Sequence, residues 1–337
     1  MHSHNQLTSD LHIENIDGKV WNKEQVYENL LTLFGRQKDC YYIGTSHEGP
    51  DLVTSGVEDI IVKAAKFAKI NLKDITILNG NLLKSARILN ELSVNYLGEL
   101  NKYKNYQIPI AHKNLVFHFS SFVSRSNWAR LWLSTHLSNL TNSKSLISYH
   151  WTNRSEYHKD NLGLEELIDR SDDFDLGQSA LNFLSSCPKK LTEVSYPVYD
   201  KQSKDLSQYY NNVFLDVVVE TYFSGNTFFI TEKTWRPIET MTPFLIFSSQ
   251  GFLKNLRQLG FETFNKWWSE DYDKYSYHAK IPEIVKIIDE INSWSINDCQ
   301  QVYEEMKPIL LHNKNVLQTL TWKKIRLTKF YNTESNE

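Results

Sequence analysis

The sequence is poor in the residues that define several classes of protein. Its 337 residues include only 3 cysteines, 12 glycines and 8 prolines. The cysteines (Cys40, Cys187 and Cys299) are odd in number and far apart, with no disulfide framework and no zinc-binding spacing. We therefore expect a reducing compartment. The scarcity of glycine and proline also argues against long flexible linkers.

Long apolar runs and an excess of one charge are missing as well. No stretch reaches the roughly 18 apolar residues needed to cross a bilayer, and the first twenty residues lack the apolar segment of a signal peptide. We expect a soluble, cytoplasmic protein whose contact with membranes is at most peripheral. The 37 basic and 40 acidic side chains leave a net charge of −3, which disfavours a protein that mainly coats nucleic acid. A local basic groove remains compatible with this balance.

Apolar and aromatic residues, in contrast, are plentiful. Hydrophobic residues make up 41% of the chain, with 9 Trp, 18 Tyr and 17 Phe, which is enough to build a core and excludes a disordered or fibrous protein. The length fits two domains of ordinary size or one large α/β unit.

Strand and helix patterns alternate along the chain. The first series predicts helix 22–34, strand 41–44, helix 53–70, strand 75–78 and helix 82–92. The pattern breaks near Pro109. The second series predicts strand 115–119, helix 127–140, strand 146–150, strand 213–220, helix 231–240, strand 244–247, helix 252–259 and helices beyond 281. We therefore predict an α/β fold with two Rossmann-like lobes, 1–112 and 113–337, and terminal helices that cross back.

Ligands of open α/β sheets bind beyond the carboxyl ends of the strands, which directs attention to loops 45–51, 120–127 and 221–231. The last of these loops joins a dense strand, ending at Glu220, to a helix that starts with Thr231, Glu232 and Lys233. Thr231 can cap the helix, and its N-terminus and Lys233 favour an anion. The two oxygens of Glu232 suit a vicinal diol such as a ribose. This pattern fits a nucleotide-sugar site, but local chemistry alone favours an ordinary acidic first turn beside a solvated lysine, because acidic first turns are common.

The same segment resembles the donor-binding motif of the α-1,3-fucosyltransferases, which are inverting glycosyltransferases of the two-Rossmann (GT-B) architecture. That family has a strand ending in Glu-Asn-Ser, then Tyr-Val-Thr-Glu-Lys-x-Trp, then a proline that opens the next strand. Here the strand ends in Glu220-Thr221, and Phe229-Ile230-Thr231-Glu232-Lys233-Thr234-Trp235 and Pro243 follow. A second similarity is a strand end at Ser120-Ser121, followed by Arg130 seven residues before Leu137.

The resemblance covers about 130 residues and implies that 113–337 bind a UDP- or GDP-sugar, while 1–112 bind the acceptor. The residues that it or the local chemistry assigns to the donor are Arg130, Glu232, Lys233, Thr231, Phe229, Arg125 and Glu220. Phe229 replaces the tyrosine of the family and Pro237 lies inside the helix, so the base and the sugar stay open. The segment is also similar to glycosyltransferase-like proteins of phages and marine bacteria.

Inverting transfer requires a general base near the acceptor hydroxyl. The loop after the first strand offers Glu48 as the first candidate, Asp51 as the second and His47 as the third, although an ordinary solvated loop fits equally well. The acidic run 172–175 resembles a metal-binding Asp-x-Asp motif. Because no dense strand precedes it, we interpret it as a solvated loop or helix cap, and we expect no metal.

We therefore predict an inverting, metal-independent glycosyltransferase that acts on a hydroxyl acceptor, either a glycan or a hydroxymethylated base in DNA. The alternative is a non-catalytic protein that binds nucleotides, glycans or DNA on the same scaffold. The nucleotide-diphospho-sugar is a co-substrate, and no further cofactor is expected. The oligomeric state is left open.

Overall fold

The computed structural model describes residues 9–13, 15–16, 19–20, 22–45, 50–93, 113–150, 163–171, 173–191, 206 and 208–330. Two four-stranded parallel sheets and one short antiparallel pair lie within these ranges, so the predicted α/β class is confirmed. None of the helices in the described ranges is both long enough and apolar enough to span a bilayer.

The first sheet is built from the early part of the chain. Its strands are β1 (Leu11–Ile13), β4 (Tyr41–Thr45), β5 (Ile75–Asn79) and β6 (Asn90–Ser93), in the order β1-β4-β5-β6, while β2 (Asn15–Ile16) and β3 (Lys19–Val20) form the antiparallel pair. Helices α1 (Lys23–Phe34) and α2 (Val57–Ala68) pack against each other beside this sheet. Their apolar faces meet the inward side chains of β4 and β5 in one hydrophobic cluster.

The segment between β5 and β6 is irregular over residues 82–89 and contains no helix. Glu58 accepts hydrogen bonds from the three backbone amides of 87–89 at 2.6–3.0 Å. Glu91 accepts from the two amides of 85–86 at 2.6 and 2.8 Å. The predicted helix 82–92 was therefore wrong. The carboxylates of Glu58 and Glu91 accept the hydrogen bonds of backbone amides that, in a helix, would donate to carbonyls one turn earlier.

The second sheet has a different connectivity. Its strands are β7 (Phe117–Val123), β8 (Ser145–Tyr149), β9 (Val213–Val219) and β10 (Phe244–Phe247), in the order β10-β9-β7-β8 and all parallel. The chain runs outward from β7 to β8 and then returns to the other side of β7 to form β9 and β10. The carboxyl ends of β7 and β9 therefore flank a topological switch point, where a crevice is expected.

Helices surround the second sheet. They are α3 (Trp128–Asn139), α4 (Leu164–Ser171), α5 (Phe174–Ser185), α6 (Glu232–Glu239), α7 (Phe252–Gln258), α8 (Ile281–Asn292), α9 (Ile296–Thr319) and α10 (Trp322–Leu327). The long helix α9 packs on α6 and under β7 and β9. Its Lys314 and Gln318 both reach Glu239 at the end of α6, with Nζ–Oε1 and Nε2–Oε2 distances of 3.5 and 3.0 Å. The terminal helices thus contribute to the second hydrophobic cluster.

The two sheets have separate hydrophobic clusters. The first draws on residues between 13 and 89, and the second on residues between 83 and 325. Leu83, in the irregular segment after β5, belongs to the second cluster and so contacts the later part of the chain. The domain boundary that the sequence predicts near 112 lies outside the described residues.

Candidate functional site

A narrow crevice of about 10 Å³, which has room for about one water molecule, lies at the switch point between the carboxyl ends of β7 and β9. Its walls are residues 121–123 of β7, residues 216–219 of β9, and the side chains of Arg130, Lys233 and Arg236. Arg130 lies on α3, which follows β7, and the other two cations lie on α6, which follows β9. The structure thus brings Arg130 and Lys233 together, although about a hundred residues separate them in the sequence.

Arg130 is positioned by the loop that precedes α3. The side chain of Asn127 caps the helix and accepts a hydrogen bond from the Arg130 amide at 2.9 Å. The guanidinium of Arg130 is buried, and its Nη1 donates to the carbonyl of Arg125 at 3.0 Å. Arg125 therefore supports Arg130 through its backbone, while its own side chain is half-buried.

Glu220 follows β9 and anchors the first turn of α6. Its Oε1 accepts from the Thr231 amide at 3.1 Å and from the Thr234 hydroxyl at 2.5 Å, and its Oε2 accepts from the Thr231 hydroxyl at 2.5 Å. Burial raises the pKa of Glu220, and the charge of Lys233 and the two hydroxyls oppose that rise. In these contacts Glu220 positions the helix behind the crevice.

The predicted helix start at Thr231 is confirmed, since its hydroxyl accepts from the Lys233 amide at 3.2 Å. The Lys233 ammonium lies 2.7 Å from Glu232 Oε1 and 3.2 Å from the Thr221 hydroxyl. Burial by itself raises the pKa of Glu232, but the charges of Lys233 and Arg236 outweigh burial and lower this pKa to about 2. Glu232 is therefore ionised at neutral pH and paired with Lys233.

Arg236 was missed by the sequence analysis. It lies three residues after Lys233 and four after Glu232, so all three side chains share one face of α6. Its Nε donates to the carbonyl of Glu232 at 3.3 Å, and its guanidinium carbon lies 6.0 Å from the centre of the Phe122 ring. The helical spacing of two cations after a dense strand is the signal that could have identified it.

Asp216 also lines the crevice and was missed by the sequence analysis. It lies within the fully buried strand β9 and accepts from the Ser120 hydroxyl at 2.6 Å and from the Tyr210 hydroxyl at 2.7 Å. Burial raises the pKa of Asp216, while these two hydrogen bonds and the charges of Arg236 and Lys113 act in the opposite direction. A single carboxylate in a run of apolar strand residues is the signal that could have pointed to it.

Of the three candidate bases, Asp51 lies in the described part of the chain, and His47 and Glu48 lie outside it. Asp51 is 4% exposed. Its Oδ1 accepts from the amides of residues 53 and 54 at 2.9 and 2.7 Å, and its Oδ2 accepts from the Asn226 amide at 2.7 Å. Burial raises the pKa of Asp51. With both oxygens bound to backbone amides, this carboxylate is not presented to an acceptor hydroxyl.

The loop 221–230, which leads into α6, is also held by the first part of the chain. Asn81 Oδ1 accepts from the Phe228 amide at 2.9 Å, and Asn81 Nδ2 donates to the Asn226 carbonyl at 2.9 Å. The Leu82 amide donates to the Phe228 carbonyl at 3.0 Å. Together with Asp51, these contacts connect the carboxyl ends of the two sheets next to the crevice. Phe229, in the same loop, is half-buried.

The acidic run 172–175 caps a helix. Asp173 accepts a hydrogen bond from the Leu176 amide at 3.0 Å at the start of α5, which confirms the helix-cap interpretation, while Asp172 lies outside the described residues. No group of three or more histidine, cysteine or acidic side chains in the described ranges is arranged to hold a metal ion.

No protein-family model matches the chain, and no curated protein matches it. The function is therefore argued from the geometry of the crevice and from the sequence segment that lines it.

Proposed function

We propose that this protein is an inverting, metal-independent glycosyltransferase with two GT-B-type lobes, which transfers a sugar from a nucleotide-diphospho-sugar to a hydroxyl acceptor. The observation that supports this most is the crevice at the β7/β9 switch point, lined by Arg130, Lys233 and Arg236. Nucleotides bind at switch points of open α/β sheets, and guanidinium and ammonium groups suit phosphate oxygens.

The donor roles follow from the positions of the side chains. Arg130 and Lys233 neutralise the diphosphate as it departs, which stabilises the charge that develops on the leaving group. In the proposed complex, Lys233 turns from Glu232 to the diphosphate. The Glu232 carboxylate, which its low pKa keeps ionised, then accepts hydrogen bonds from the ribose diol.

The acceptor binds to the lobe formed by residues 1–112, and the general base comes from the loop after β4. Glu48 is the first candidate for this base. Asp51 has a structural role instead, because its oxygens accept hydrogen bonds from the amides of residues 53 and 54 and from the amide of Asn226 in the loop before α6. The acceptor hydroxyl belongs to a glycan or to a hydroxymethylated base in DNA.

The second candidate function is non-catalytic binding of nucleotides, glycans or DNA on the same scaffold. The engagement of Asp51 by three backbone amides favours it, because that carboxylate is unable to deprotonate an acceptor in this conformation. Release of nucleoside diphosphate from a nucleotide-sugar in the presence of acceptor distinguishes the two functions. An enzyme shows such release and loses it in Glu48→Gln, whereas a binding protein shows none in either form.

A thermal-shift panel with UDP, GDP, CMP, dTDP and ADP tests the donor site. We expect one nucleotide to raise the melting temperature of the wild-type protein and to have no such effect on Lys233→Ala. Lys323→Ala is the matched control, since Lys323 is an exposed lysine of α10, and it should keep the full response. Failure of every nucleotide to stabilise the wild-type protein would reject the proposal.

The two acceptor classes differ in their response to salt. A DNA acceptor requires contacts with phosphates, so its affinity falls steeply between about 50 and 200 mM salt. A neutral glycan acceptor shows no such dependence. Binding of duplex DNA that contains hydroxymethylated pyrimidines, measured across this range with unmodified duplex as the control, assigns the acceptor class.

A further inference from the structure

A larger cavity lies beside β10, the edge strand of the second sheet. Its volume is about 360 Å³, within the range of roughly 300–1,000 Å³ that is usual for small-molecule sites, and far larger than the crevice. Gln250 and Gly251, which follow the carboxyl end of β10, form one part of its wall. Side chains of α7 and of the segment 265–274 form the rest. The second sheet thus has a separate place where a small molecule fits.

The side chains that line this cavity are polar. Eight of the nine lining residues have polar side chains, namely three cations, three carboxylates and two amides, and the ninth is Gly251. Sites for drug-like ligands are lined mainly by hydrophobic and aromatic side chains instead. The apolar surface here comes from the aliphatic stems of long polar side chains, such as those of Lys254 and Arg257. Such a lining suits a ligand that is rich in hydroxyl groups.

Charged groups of the lining are paired with one another. Arg257 Nη1 donates to Glu270 Oε2 at 2.9 Å, and the Lys274 ammonium donates to Asp271 Oδ1 at 2.5 Å. An anion or a zwitterion would have to separate these pairs. Hydroxyl groups add to them instead, because a carboxylate accepts several hydrogen bonds and a guanidinium has five donors. The lining therefore matches a neutral ligand better than a charged one.

Further hydrogen bonds hold the walls of the cavity in place. The two carboxylate oxygens of Asp273 accept from the amides of Leu253 and Lys254 at 3.1 Å each, which fixes one wall to the start of α7. The side-chain amide of Gln250 donates to the Lys274 carbonyl at 2.8 Å and joins the loop after β10 to the same wall. A site that is formed in advance in this way loses little conformational entropy when a ligand binds.

We infer that this cavity binds a neutral sugar unit, at a site separate from the crevice that the proposed function assigns to the donor. A sugar has many hydroxyl groups and apolar C–H faces but no charge. These properties match the polar tips, the aliphatic stems and the paired charges of the lining. The origin of the sugar rests on the proposed function: in a glycosyltransferase it is an outlying unit of a glycan acceptor.

Saturation-transfer NMR, followed by titration, tests the site on the full chain. The probes are glucose, galactose, mannose, fucose, N-acetylglucosamine and lactose, with inorganic phosphate as the anionic probe and glycine as the zwitterionic one. We expect at least one sugar to bind and both charged probes to bind the cavity more weakly than that sugar.

Substitutions at Asn265, an exposed residue of the lining, show whether the sugar lies in the cavity. Asn265→Trp fills the cavity and should weaken sugar binding by at least about tenfold. Asn265→Ala removes only hydrogen bonds and should weaken it by about three- to tenfold. The matched controls are Asn182→Trp and Asn182→Ala at an exposed position of α5, and they should leave binding unchanged. If Asn265→Trp lowers the melting temperature more than Asn182→Trp does, Lys254→Trp on α7 takes its place.

The outcomes separate this site from the donor site. If no sugar binds, or if a sugar binds the wild type and the cavity-filling variant equally, the inference is overturned and the donor site is unaffected. It is also overturned if phosphate or glycine binds the cavity more tightly than every sugar. If a sugar binds in the cavity but no nucleotide stabilises the protein, the inference stands and the glycosyltransferase proposal is overturned. A nucleotide that stabilises the cavity-filling variant as it does the wild type supports two separate sites.

Discussion

Gly225, in the loop before α6, has no space for a side chain. Its φ is +67°, and an added Cβ would lie 2.5 Å from the Thr54 hydroxyl and 2.8 Å from the Asp51 carboxylate. Such a backbone conformation suits glycine, and the close contact involves a carboxylate that three hydrogen bonds hold in place. The conformation of this loop therefore requires a residue without a Cβ at position 225.

We predict that Gly225→Ala lowers the free energy of unfolding by about 1–3 kcal/mol, because left-handed backbone strain and the contact with Asp51 add. The matched control is Gly35→Ala, whose φ is −64° and whose nearest neighbour would be 3.5 Å away. That substitution should be neutral or should stabilise by up to about 1 kcal/mol. Urea denaturation measures both, and equal effects would contradict the explanation.

The ion pair of Glu232 and Lys233 predicts a pH dependence at the residue scale. The pKa of Glu232 is about 2 in the folded state and near 4.5 in the unfolded chain. Its charge therefore stabilises the fold above pH 4.5, and this contribution is lost as the pH falls towards 2. With 23% of the side chain exposed, we expect about 1–3 kcal/mol.

Urea denaturation of the wild type and of Glu232→Gln between pH 7 and pH 3 measures this contribution. The difference in unfolding free energy between the two proteins should be constant above about pH 5.5 and should shrink below pH 4.5. A difference that does not change with pH would show that the pair contributes no net stability.

Among the secondary-structure elements, the site depends most on α6. This helix carries Lys233 and Arg236, two of the three cations of the crevice, and its N-cap Thr231 makes two hydrogen bonds. Thr231 accepts from the Lys233 amide and donates to Glu220 at the same time. Loss of this hydroxyl therefore affects both the helix start and the direction of the Lys233 side chain.

We predict that Thr231→Ala costs about 1–2 kcal/mol of unfolding free energy and removes the stabilisation by nucleotide. Thr321→Ala is the matched control, because Thr321 is also the N-cap of a helix, α10, and accepts from the Lys324 amide at 3.2 Å. It should lower the melting temperature but leave the shift caused by nucleotide intact. Loss of that shift in both variants would indicate a general effect of destabilisation.

At the scale of the whole molecule, Asn81 connects the carboxyl end of the first sheet to the loop before α6. Both polar atoms of its side chain are bonded to that loop, and the residue is fully buried. We predict that Asn81→Ala costs about 1–3 kcal/mol, because it leaves buried backbone groups without partners. Hydrogen exchange should become faster in residues 226–228.

The control for this substitution is Asn71→Ala, which removes a solvent-exposed cap of a single turn at Lys73. It should leave exchange in residues 226–228 unchanged. If hydrogen exchange in residues 226–228 is also unchanged in Asn81→Ala, the hydrogen bonds of Asn81 do not stabilise the loop before α6.

The sequence predicts the local elements of this molecule well and its long-range contacts less well. Helix 22–34 and strand 213–220 were predicted to within a residue of the helix α1 and the strand β9, because periodicity and capping act over a few residues. The segment 82–89 was wrongly predicted, since its amides are satisfied by Glu58 at a distance of about thirty residues.

The residues of the site also divide into some that the sequence predicts and others that it does not. Arg130 and Lys233 were predicted from the resemblance to the fucosyltransferase donor motif and from their local chemistry, and the structure places both in the crevice. Arg236 was missed although its helical spacing after Lys233 is visible in the sequence. Asp216 was missed because its place beside the cations depends on the order of strands in the second sheet, which puts β7 beside β9. Strand order is decided by packing between distant segments, and a single sequence contains little information on it.

The irregular segment 85–89 has a consequence for how the chain tolerates substitution. Its five backbone amides are bound by Glu58 and Glu91, while side chains within the segment, such as that of Ile88, extend into solvent. Saturation mutagenesis should therefore find position 88 permissive to every residue except proline, which has no amide hydrogen to donate. Glu58, in a helix, and Glu91, in a strand, should tolerate very few substitutions, because their carboxylates hold these amides. The order of this segment is encoded outside the segment itself.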